Sequence, residues 1–236
     1  MTNETTRNHL GQPIGFPLSD WQPRPLPPQA PMHGRTCLLE PLSPERHAKE
    51  LYDAYSEDTA GSLWTYLPYG PFASLADFQS HVESCSRGDD PQFFALINAD
   101  TGKAEGVASY LRITPAAGVI EVGHISYAPR LQKTAAATEA MYRMMCRAFD
   151  ELGYRRYEWK CDALNAPSRS AALRLGFTFE GIFRQAVIYK GRNRDTAWYS
   201  LLDTEWPAVK QAFENWLSPG NFDAAGRQRR SLASLR

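Results

Sequence analysis

Cysteine is scarce in this chain of 236 residues. Its four cysteines, Cys37, Cys85, Cys146 and Cys161, are widely spaced, with no CxxC pair and no matching histidine pattern. That spacing argues against a disulfide framework or a metal centre and suits reduced thiols in a cytoplasmic protein. An excess of one charge is also lacking. The 26 Lys and Arg residues balance 26 Asp and Glu, so nothing suggests a nucleic-acid footprint spread over the whole surface. No apolar run approaches the ~18 residues of a membrane span. Residues 1–10 carry no apolar secretory segment, so a cytoplasmic location without a membrane partner is expected. No internal repeat is found.

Proline is present in quantity and unevenly placed. Pro13, Pro17, Pro23, Pro25, Pro27, Pro28 and Pro31 crowd the first 34 residues, a density that excludes helix and sheet interiors. Residues 1–34 therefore form a Pro-rich extension. It is either an extended arm using Ile14, Phe16, Leu18 and Trp21 to pack along the domain, or a disordered one. Residues 35–217 read as one domain. Residues 218–236 read as a flexible tail, whose Arg227, Arg229, Arg230 and Arg236 could neutralise too few phosphates for a nucleic-acid arm.

Within the domain, 35–40 is a strand, and Ser43-Pro44-Glu45 opens a helix to Tyr55. The aromatic, proline-punctuated stretch 62–72 is irregular. Its Trp64, Tyr66 and Tyr69 either line a substrate pocket or fill the core beneath a long loop. A helix from Ser74 to Ser84 follows, with Leu75, Phe78 and Val82 inward. Strands at 93–99, 105–113 and 119–127 form an antiparallel meander. After a long helix come a strand at 154–162, a short helix at 167–175, a hairpin turning at 191–193, and a closing helix at 205–217. The class is α+β, a mixed, largely antiparallel twisted sheet with helices on both faces.

The chain is organised around Glu121 to Gly153. A strand runs through a small-residue turn into a helix with Ala137, Met141, Met144, Met145, Ala148 and Leu152 on one stripe, stopped by Gly153. Such a helix start presents unpaired N–H groups to a phosphate or pyrophosphate. Further on stands Asn165-Ala-Pro-Ser168, a short helix, Leu-Gly176-Phe177 and Glu180-Gly181. With Gln132, Ala137, Thr138, Glu139 and Ala140, these residues resemble the GNAT superfamily of acyl-CoA-dependent N-acetyltransferases, in its Rim-type branch of ribosomal-protein N-acetylases. The resemblance covers about residues 35–217. It departs at Lys133 and Ala135, where two glycines are usual, and a side chain at Lys133 would be strained wherever positive φ is required.

The resemblance implies a GNAT-type fold and acetyl-CoA as co-substrate, with no metal. The amine acceptor would be a peptide N-terminus or a small molecule, and the assembly a monomer or homodimer. It places the cofactor on Arg130, Gln132, Lys133, Thr134, Ala135, Ala136, Ala137, Asn165 and Ser168. Ser168 protonates the leaving thiolate, with Tyr127 and Tyr189 as alternatives. A neutral amine must attack, so a base is needed. Glu121 is the first candidate and His124 the second. Strand alternation sets Glu121 and Gly123 on one face and Val122 and His124 on the other. Trp64, Tyr66 and Tyr69 would border the acceptor. The altered loop leaves an alternative, a non-catalytic acyl-CoA-binding or regulatory domain.

Overall fold

The computed structural model describes residues 6–236; residues 1–5 of the N-terminal extension lie outside it. Two short strands, β1 (Thr6–Arg7) and β2 (Pro13–Ile14), pair with each other, and β3 (Met32–His33) leads into the domain. The main elements are β4 (Cys37–Pro41), α1 (Pro44–Tyr55), α2 (Leu75–Ser86), β5 (Gln92–Asn98), β6 (Lys103–Thr114), β7 (Val119–Tyr127), α3 (Ala135–Cys146), β8 (Arg156–Asp162), α4 (Ala166–Leu175), β9 (Thr178–Tyr189), β10 (Arg192–Leu202) and α5 (Trp206–Leu217). The eight-stranded sheet has the order β3-β4-β5-β6-β7-β8-β10-β9. Every neighbouring pair is antiparallel except β7 with β8. This is the α+β architecture expected from the meander followed by a strand–helix–strand unit.

Local chemistry accounts for the element ends. Ser43, Ser74, Thr134 and Asn165 each accept from a main-chain N–H three residues on, capping α1, α2, α3 and α4. Gly176 at φ 104° ends α4, packed where a side chain would press on Val209. The β9–β10 hairpin turns on Lys190 and Gly191, at φ 48° and 70°. That two-residue turn is tighter than the three residues read from the sequence, because paired positive φ matches the strand twist.

Helices α3, α4 and α5 cover one face over a core that includes Phe94, Tyr110, Val122, Met141, Met144, Tyr157, Tyr199 and Phe213. Helices α1 and α2 cover the other face only over β5 and β6, with Phe78, Val82, Phe93, Ala95 and Val107 between. β5 alternates Phe93 and Ala95 into one core and Phe94 and Leu96 into the other. The α1 side of β7, β8 and β10 is left without a helix above it, and that area is the candidate site.

Three expectations need correction. Helix α3 does not bury a single stripe: Ala136, Thr138, Glu139, Ala140 and Tyr142 are buried as well, because β4 and α5 flank it. It then widens into a π-turn at 147–151, which slips the register and leaves Leu152 half-buried. The segment after Ser218 is not a loose tail. It folds back so that Leu232 is 1% exposed, and the side chain of Asn221 bridges Trp216 O, Arg230 O and Arg230 N. The N-terminal arm lies along the domain, but not through Ile14, Phe16 and Leu18, which stay nearly half exposed. Its carbonyls hold it instead. Pro25 O, Pro27 O, Ala30 O and Pro31 O accept from Tyr154, Gln92 and Arg147, while Trp21 donates to Ala116 O at 2.7 Å. Proline has no N–H, so such a segment docks chiefly as an acceptor.

Candidate active site

β7 and β8 pair in parallel only from Val119–Arg156 to Val122–Trp159. β7 runs on to Tyr127 and β8 to Asp162, so the strands part and the main-chain groups of 123–127 facing β8 have no ladder partner. A bulge accompanies the parting, since Val107 and Ser109 of β6 face Ser126 and Gly123 of β7. Three steps on β7 oppose two on β6. The extra residue puts His124 at φ 50° and reverses the alternation beyond it. Val122 enters the α3-side core, whereas His124 turns to the other face, against Tyr69 and Phe93, the face that Glu121 also takes. The simple alternation read from the sequence fails here because a bulge resets it.

The tip of α3 closes one end of the cleft. Thr134 Oγ1 accepts from Ala137 N at 3.1 Å, leaving Ala135 N and Ala136 N without a protein acceptor at the positive end of the helix. Lys133 sits at φ 62°, the left-handed conformation for which glycine is suited, with its side chain exposed. Gln132 Nε2 is spent on Tyr127 O at 2.9 Å. Arg130 is also committed: its guanidinium lies 3.0 Å from the buried Glu105 and pairs with Glu57. Two residues read from the sequence as cofactor ligands are therefore engaged within the protein.

Across the cleft, Asn165 Oδ1 caps α4 by accepting from Ser168 N at 3.1 Å. The cap is therefore Asn165, which frees Ser168 from that duty. Ser168 Oγ accepts from Trp159 Nε1 at 3.0 Å and lies beside the Cys161 thiol. Of the alternative donors, the Tyr127 hydroxyl is sealed without a partner and Tyr189 is bound to Asp162 Oδ2 at 2.9 Å.

Glu121 is 2% exposed and lies between Arg112 (2.7 Å) and Lys160 (2.8 Å). Burial pushes its carboxyl upward against the pull of both cations. Lys160 also reaches Glu158 at 2.7 Å and lies 3.7 Å over the Trp198 ring. His124 is different. Burial, aided by Arg112, pulls its imidazole down to about 4, and its Nδ1 is 3.1 Å from the Tyr69 hydroxyl. Burial raises the Tyr69 hydroxyl far above the ordinary phenol range, so the hydroxyl stays protonated. It shares one hydrogen bond with Nδ1, in which either group can serve as donor, and Nε2 is the ring nitrogen left over. With its pKa so low, His124 is neutral at pH 7 and a weak proton acceptor.

Trp64 proves to be a core residue, edge-on to Tyr55 and Phe72, while Tyr66 donates to Leu164 O at 3.2 Å and Lys190 donates to Trp64 O at 2.7 Å. The 62–72 loop is thus fastened to the β8–α4 and β9–β10 connections on either side of the cleft. A cavity of about 240 Å³ behind it, lined by Tyr52, Tyr55, Asp58 and Phe78 among others, shares no residue with the β7–β8 parting. The sequence reading missed Lys160, Thr196 and Trp198 of the open face. Their signal was present in the alternation of Glu158, Lys160 and Asp162 with the buried Trp159 and Cys161.

Among the described residues, no cluster of three His, Cys, Asp or Glu is placed to hold a metal. Among those residues, too, no helix is long and apolar enough to cross a membrane.

Known proteins share this arrangement. A GCN5-related N-acetyltransferase from Brucella melitensis superposes with a TM-score of 0.91 at 50% identity, over 92% of this chain and 99% of that one. A probable acetyltransferase (GNAT family) from Chromobacterium violaceum ATCC 12472 gives 0.77 at 40% identity, over 84% and 98%. The uncharacterized N-acetyltransferase YnaD of Bacillus subtilis (strain 168) is 25% identical over 175 residues, 74% of this chain and 99% of that protein. Residues 37–178 match the acetyltransferase (GNAT) domain, and with the parted strands, the capped helix start and the Asn165–Ser168 turn in place, this chain belongs to the GNAT family of acetyltransferases.

Proposed function

We propose that the protein transfers an acetyl group from acetyl-CoA to a primary amine, with the amine attacking the thioester directly. The observation that carries this reading is the parting of β7 from β8 between the donor-bearing start of α3 and Ser168. Acetyl-CoA supplies the activated acyl group and a thiolate leaving group. On the protein's side, Ala135 N and Ala136 N, with the Lys133 ammonium, hold the pyrophosphate. The unpaired edge of β7 takes the extended arm of the cofactor. N–H groups beside the bulge polarise the acyl carbonyl oxygen.

Ser168 gives its proton to the departing thiolate, and the hydrogen bond it accepts from Trp159 favours that donation. Glu121 takes the amine's proton through a water, because so buried a carboxylate is reached only by relay. Raised by burial, it is a stronger base than an exposed glutamate. The acceptor lies on the open face, bordered by Tyr66, Tyr69 and His124.

The test is calorimetric titration with acetyl-CoA followed by thiol release over a panel of amines and peptide N-termini. Binding with release for at least one amine class is expected. Binding with no release for any of them would favour the non-catalytic alternative. Ser168→Ala should lower kcat about 10²- to 10⁴-fold with acetyl-CoA affinity intact, and equal loss of both would make the serine structural.

A further inference from the structure

Residues on alternate positions of β10 hold polar atoms that nothing satisfies. Arg194 Nε, Thr196 Oγ1 and Trp198 Nε1 are sealed from solvent and make no hydrogen bond among the described residues, and Thr196 is only 4% exposed. A sealed donor without an acceptor is costly, and folded proteins retain few such groups. All three belong to the open face: Thr196 stands opposite Asp162 and Trp198 opposite Lys160 in the β8–β10 ladder.

The other cations on that face are paired. Arg112 and Lys160 serve Glu121, Lys160 and Arg156 serve Glu158, and Arg156 also serves Glu180. Asp162 accepts from Tyr189 and from Leu164 N. Arg194 makes no ion pair among the described residues; its neighbours include the Tyr189 ring, 5.9 Å from its guanidinium. Arg194 is therefore the cation of this face left without an ion pair among the described residues, beside unsatisfied polar atoms, an arrangement that a bound oxyanion would complete.

We infer that the acceptor is a small amine bearing a carboxylate or phosphate, with that anion seated on Arg194 and completed by Thr196 Oγ1 and Trp198 Nε1. The inference rests on the acetyl-transfer reading for the role of the amine. A small acceptor fits because Tyr66 and Lys190 tie the overlying loop down on both flanks.

The test uses the full chain, alone and with CoA, titrated calorimetrically with β-alanine, phosphoethanolamine, propylamine and ethanolamine. The same amines are then compared by kcat/KM. The anionic amines should bind and react about ten- to hundredfold better than the neutral ones, with the better of the two identifying carboxylate or phosphate. Arg194→Gln should bring that ratio toward one and Arg194→Lys should restore part of it, with acetyl-CoA affinity reporting that each variant is folded. Equal handling of neutral and anionic amines, or a preference untouched by Arg194→Gln, overturns the inference while leaving acetyl transfer standing. Anion binding lost in Arg194→Gln, with no transfer to any amine, upholds the anion seat and removes the transfer reading.

Discussion

Lys133 holds a left-handed backbone that costs a side-chain residue about 1–2 kcal/mol. The strain was legible in the sequence, since a lysine replaces a glycine usual in the resembling family, but the sign of φ had to come from the fold. Lys133→Gly should stabilise the protein by roughly 0.5–1 kcal/mol once the flexibility of glycine in the unfolded chain is deducted. A thermal melt that falls instead would mean the lysine makes a compensating contact. His124 gives the second residue-scale prediction. Its Nδ1 hydrogen-bonds the Tyr69 hydroxyl and its pKa is pulled down to about 4, so it stays neutral through the working range. His124→Asn should lower the rate without altering the shape of the pH–rate profile between pH 6 and 8. Loss of a limb from that profile would restore histidine as a base.

At the scale of elements, capping residues made α1, α2 and α4 readable to within a residue or two, because Ser43, Ser74 and Asn165 bond their own helix starts locally. The C-terminal segment was misread for the converse reason. Its polar, arginine-containing composition resembles a solvated end, and its docking depends on one buried side chain, Leu232, and one bridging amide, Asn221. Leu232→Ala should cost about 2–4 kcal/mol, as large-to-small changes in a core do. For a chain of this size the melting temperature would fall by about 5–10 °C. No change would mean that the segment detaches readily in solution. The β7 bulge is likewise an element-level event: one extra residue carries His124 to the face of Glu121, and no local sequence signal marks it.

For the molecule as a whole, burial depresses His47, His81 and His124. Their folded pKa values lie below the ordinary value near 6.5, so on acidification the unfolded chain takes up protons first. Stability is fully present above that value and falls as pH drops from about 6.5 toward 4, with His124 alone contributing roughly 3 kcal/mol. Urea unfolding at pH 7 and pH 5 should show the loss, and equal midpoints would mean that these imidazoles are solvated. Composition and periodicity alone determined the α+β class and the order of elements, because helix caps and strand alternation are local and repeat along the chain, while the motifs at Gln132–Ala140 and Asn165–Phe177 carried the family resemblance. Only the tertiary structure decided that Arg130 and Gln132 are engaged elsewhere, that Trp64 is core, that His124 hydrogen-bonds Tyr69 and that Arg194 Nε has no partner among the described residues. Each of those facts depends on a partner distant in sequence, and burial and charge matching are properties of the space between elements rather than of the residues that line it.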